Sequence, residues 1–102
     1  MKRIFIYRTY DENDCTSTGW DIEIAKTHDG YSVVATTHSR WQGSRCGAEY
    51  WHDGFDDVET AETFARELED SGELDLIDLC EISWQGVSHG WRRGKNRGFL
   101  IQ

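Results

Sequence analysis

The chain has 102 residues, a formal net charge of −8, 37% hydrophobic and 13% aromatic residues, and no proline. The length predicts a single domain, 1–102, and large rings supply the buried area for a core without disulfides or metal. Such a composition excludes a collagen, a coiled coil, proline-rich linkers and a wholly disordered chain, and the chain has no apolar run of about 18 residues to cross a membrane.

Residues 3–10 are β-branched and aromatic (Ile4, Phe5, Ile6, Tyr7, Thr9, Tyr10) and predict a first strand. This start is too short and too interrupted to be a signal peptide. The three cysteines, Cys15, Cys46 and Cys80, are odd in number and widely spaced, which argues against a secreted disulfide framework. A cytosolic protein is expected. After a polar loop, Trp20, Ile22 and Ile24 alternate with Asp21, Glu23 and Ala25, the pattern of a half-buried strand. Asp29-Gly30 is a hairpin turn, and residues 31–38 are the returning strand. Gly43 to Gly47 is a loop, and residues 48–53 are a fourth strand.

Val58, Ala61, Phe64, Ala65 and Leu68 share one helix face. Asp56 or Asp57 caps this helix, and Gly72 stands where it would stop, so one main helix is predicted over 57–70. Leu74, Leu76, Ile77 and Leu79 fit a short helix or a strand. Cys80, Ile82 and Trp84 alternate with polar residues and predict a strand over 78–84. The glycine-rich stretch 85–98 is a loop, and Phe99 to Ile101 adds a possible terminal strand. The expected fold is α+β: an antiparallel meander of four to six strands with the main helix on one face.

Charge is distributed unevenly. Residues 51–90 hold 12 acids and one base, Arg66, whereas residues 91–102 hold four bases, Arg92, Arg93, Lys95 and Arg97, and no acid. Candidate partner-binding acids are Asp56, Asp57, Glu59, Glu62, Glu67, Glu69, Asp70, Glu73 and Asp75. Acids in a first helical turn suit the macrodipole. Glu67, Glu69 and Asp70 would fall in the last turn, where each is unfavourable by roughly 0.3–1 kcal/mol. Helical carboxylates at i,i+3 and i,i+4 lie about 5–6 Å apart, and phosphates step by about 3.4 Å per strand. A rigid carboxylate array can therefore occupy a cationic nucleic-acid channel. The alternative reading is a solvated helix face that keeps the protein soluble.

Trp20, Trp51 and Trp84 are assigned to strands and the core. Trp41 and Trp91 fall in loops beside Arg40 and Arg92, the composition of an interface hot spot. The segment from Gly90 to Gly98 mixes Trp91 with four cations. It can contact single-stranded nucleic acid or fold its cations back over the acidic block. His28, His38, His52 and His89 show no tight ligand pair with the cysteines, so no metal is expected. His52 with Asp53 or Glu49 is a conceivable acid–base pair, but no nucleophile is oriented beside it. No catalytic, cofactor or phosphate-loop motif is present.

The acidic run Asp53 to Glu81, placed after a strand meander and carried on the helix Val58 to Leu68, resembles the small acidic proteins that phages use against bacterial defences. These include anti-CRISPR proteins and DNA-mimic anti-restriction proteins. The resemblance implies a non-enzymatic inhibitor in the host cytosol that docks its acids on a cationic nucleic-acid channel, with Trp41 or Trp91 as anchor. The alternative is a small nucleic-acid-binding accessory protein acting through Arg92, Arg93, Lys95 and Arg97.

Overall fold

The computed structural model describes residues 2–14, 17–39, 47–82 and 90–94. Within them an antiparallel five-stranded sheet runs in chain order: β1 (Arg3–Arg8), β2 (Thr18–Thr27), β3 (Gly30–Ser39), β4 (Glu49–Phe55) and β5 (Trp91–Arg93). Three short helices lie between β4 and β5: α1 (Val58–Arg66), α2 (Leu68–Ser71) and α3 (Glu73–Ile82). The α+β expectation holds, but the single main helix does not. No described helix is long and apolar enough to cross a membrane.

Period-two alternation decides which face of the sheet is covered. On β2, Trp20, Ile22 and Ile24 point to the helices and are joined in the core by Val33, Ala35, Tyr50, Ala61, Ala65, Leu68, Leu74 and Ile77. A two-residue turn joins β2 to β3, and Thr27 pairs with Gly30 across it. The other face carries a small second cluster of Ala25, Val34 and Trp51. Trp51 is thus buried as expected, but on the side away from the helices.

Asp57, not Asp56, caps α1: its side chain accepts from the Thr60 amide at 2.8 Å. The helix stops at Glu67, whose amide turns to the Phe64 and Ala65 carbonyls, and α2 restarts at Leu68. Apolar spacing does not reveal this break because Leu68 still reaches the core on its far side. Gly72 ends α2 with a left-handed φ of 82°, a conformation that glycine adopts without a Cβ penalty.

Residues 78–82 belong to α3 and not to a strand over 78–84. The buried pair Leu74 and Ile77, spaced i,i+3, shows the helical period that wins here. Residues 83–89, with Trp84, lie outside the described residues, as does the possible terminal strand at Phe99 to Ile101.

Part of the expected loop 85–98 is the edge strand β5, paired to β4 through Tyr50–Arg93, Trp51–Arg92 and His52–Trp91. Trp91 is 3% exposed. Its ring stands edge-on to His52 at 5.1 Å and 6.1 Å from Phe64, and its indole donates to Glu73 at 2.8 Å. Gly90 brings the chain in at φ 92°, where a Cβ would run into the His52 imidazole. Truncating a buried Trp costs roughly 3–5 kcal/mol. Trp91→Ala is therefore expected to shift the urea midpoint downward by that equivalent and to speed amide exchange across β4. A midpoint within error of the parent would show that β5 does not hold the layers together.

Candidate functional site

The segment from Asp56 to Ile82 holds 11 acids and one base. The structure gathers them on the helical layer, but their roles differ. Asp57 is spent on the α1 cap, Glu62 pairs with Arg66 at 2.7 Å, and Glu73 accepts the Trp91 indole. Asp56, Glu59, Glu67, Glu69, Asp70 and Asp75 are exposed, with no salt bridge to a cation among the described residues. The helix break changes the macrodipole argument. Glu67 sits at the C-terminal end of α1, whereas Glu69 and Asp70 occupy the first turn of α2. Because α2 is a single turn, its first turn is also its last, and the macrodipole argument does not apply to Glu69 and Asp70.

Trp91, expected as a surface anchor, is a core residue in β5. Trp41 lies outside the described residues, with Lys95 and Arg97. The reading in which the basic segment is a loop folded over the acidic block does not hold for Arg92, which lies in β5 and meets one acid, Asp53, on the open face. Its Nε and Nη2 donate to Asp53 at 2.6 and 3.2 Å. Arg93 lies over the Tyr50 ring at 5.3 Å.

The open face of the sheet carries a charged network that sequence reasoning missed. Trp51 is held between two guanidiniums, Arg3 at 5.2 Å and Arg92 at 5.1 Å from its ring. Arg3 donates to Glu23 and Glu49, each at 3.1 Å, and the Trp51 indole donates to Glu49 at 3.2 Å. Burial works against the Arg3 charge, but the bonds to Glu49 and Glu23 outweigh it, so its pKa rises. Nearer the end of β1, Arg8 contacts Glu12 at 2.7 Å and lies over Phe5 at 4.6 Å. Tyr10 donates to Asp21 at 2.9 Å and stacks on His38 at 3.9 Å. Alternation along β1 puts Arg3 and Phe5 opposite Ala25 and Glu23, and a bulge between Phe5 and Tyr7 brings Arg8, opposite Asp21, to the same face. The alternation is legible once the strand is assigned; the bulge is not. The meeting of Arg3 with Arg92 is not, because it depends on β1 and β5 both flanking the β2–β4 core.

The conceivable pairings of His52 with Asp53 or Glu49 do not form. His52 faces the helices, with Phe64 at 4.6 Å and Phe55 at 5.5 Å, while Asp53 and Glu49 serve the other face. Its buried Nδ1 meets no hydrogen-bonding group among the described residues, so the ring serves as a wall of the aromatic core. Among the described residues no three His, Cys, Asp or Glu side chains are arranged to hold a metal ion. An open cleft of about 540 Å³ at the β2–β3 turn is lined by Asp29, Asp53 and Asp56 together with Arg92, the partner of Asp53.

No family model, curated protein or solved structure matches the chain.

Asp53 is bonded from two sides. Hydrogen bonds from Arg92 hold its carboxyl below the usual aspartate range; partial burial opposes them and Ser32 adds a bond at 2.6 Å. A folded-state pKa below the unfolded value stabilises above the unfolded value, and that contribution is lost as pH falls through the folded one. Stability is therefore expected to fall on acidification below about pH 4. Asp53→Asn should melt lower at neutral pH and lose less on acidification, as followed by thermal melts across the acid range. Identical acid limbs for the two proteins would show that the Asp53–Arg92 pair does not support the fold.

Proposed function

We propose that this protein is a non-enzymatic inhibitor acting in the cytosol. Its helical layer docks on the cationic nucleic-acid channel of a bacterial defence complex, a CRISPR effector or a nuclease, and blocks nucleic-acid access. The observation that carries this reading is the contrast, among the described residues, between guanidiniums already paired on the open face and exposed acids without a salt bridge on the helical layer. On the open face the guanidiniums of Arg3, Arg8 and Arg92 each meet a carboxylate within the protein. The exposed acids on the helical layer have no such counter-cations among the described residues. An uncompensated acidic surface attracts a basic partner, steers its approach and repels nucleic acid.

The contact residues in this reading are Asp56, Glu59, Glu67, Glu69, Asp70 and Asp75. Asp57, Glu62 and Glu73 contribute field while serving the fold. Trp91 is not included, because a ring in the core offers nothing to a partner without unfolding β5. A basic segment acting on nucleic acid is the competing reading. It is weakened by Arg92, which is already engaged by Asp53.

The test screens purified CRISPR effectors and nucleases for binding. The triple variant Glu67→Lys, Glu69→Lys, Asp70→Lys is expected to weaken binding about tenfold or more, since each exposed pair contributes roughly 0.2–1 kcal/mol and reversal turns attraction into repulsion. Melting should change little: a lysine at 67 suits the end of α1, and positions 69 and 70 are exposed on a single turn. Salt and added target DNA should both release the complex. If the triple variant inhibits as well as the parent, and the parent itself shifts DNA in a gel, the acidic reading fails.

A further inference from the structure

We draw no further inference here: the strongest candidate, the open cleft at the β2–β3 turn lined by Asp29, Asp53, Asp56 and Arg92, is an acidic cluster in which Arg92 already engages Asp53, and nothing in the structure shows what occupies it.

Discussion

The indole of Trp91 is the contact on which the rest of this structure depends. It lies at the end of a helical excursion that leaves the sheet after β4 and returns as β5. Its ring closes over His52 and Phe64, and its N–H is satisfied by Glu73 on α3. One side chain therefore binds the strand edge, the packed face and the third helix together. A buried ring supplies the apolar contact, and a charged acceptor prevents the cost of an unpaired N–H. With β5 held in place, Arg92 is delivered to the opposite face, where Asp53 and Trp51 receive it.

This closure also sorts the charges. Adjacent residues in a strand point to opposite faces, so Trp91 enters the core and Arg92 cannot. The open face then becomes a closely balanced array in which Arg3 and Arg92 flank Trp51 and carboxylates neutralise both. On the helix side the sheet supplies Arg93 and Lys26, which lie over the Tyr50 and Tyr31 rings, and no salt bridge joins them to the helical acids among the described residues. The one base of the helical layer, Arg66, is matched to Glu62 within α1. The acidic surface is thus mainly a consequence of composition; topology adds that Arg3, Arg8 and Arg92 face away from it, while Arg93 and Lys26 lie on the helix side of the sheet.

The helix break shows how a periodic signal can be right about burial and incomplete about geometry. Val58, Ala61, Phe64, Ala65 and Leu68 all reach the core or pack against it, as their spacing predicts. That spacing says nothing of where the backbone hydrogen bonds change partners at Glu67. The error at residues 78–82 has a related cause. A short apolar run satisfies a period of two and a period of about four nearly equally well. Contacts of Leu74 and Ile77 with the core decide between them, and these are made by residues distant in the chain.

What the sequence by itself determined is local. Strict alternation on β2 selected its buried face, the turn signal at His28-Asp29-Gly30 marked the β2–β3 hairpin, whose two turn residues are His28 and Asp29, and Gly72 marked a helix stop, because these signals depend on residues within a few positions of one another. The acidic block was equally legible as charge. Only the tertiary structure decided that Trp91 is a core residue, that Arg3 and Arg92 meet across Trp51, and that β1 is left as an edge with Ile4 and Phe5 exposed. The reason is that burial and strand neighbours are properties of chain closure. Residues near the two ends of the sequence become partners only after the core between them has formed.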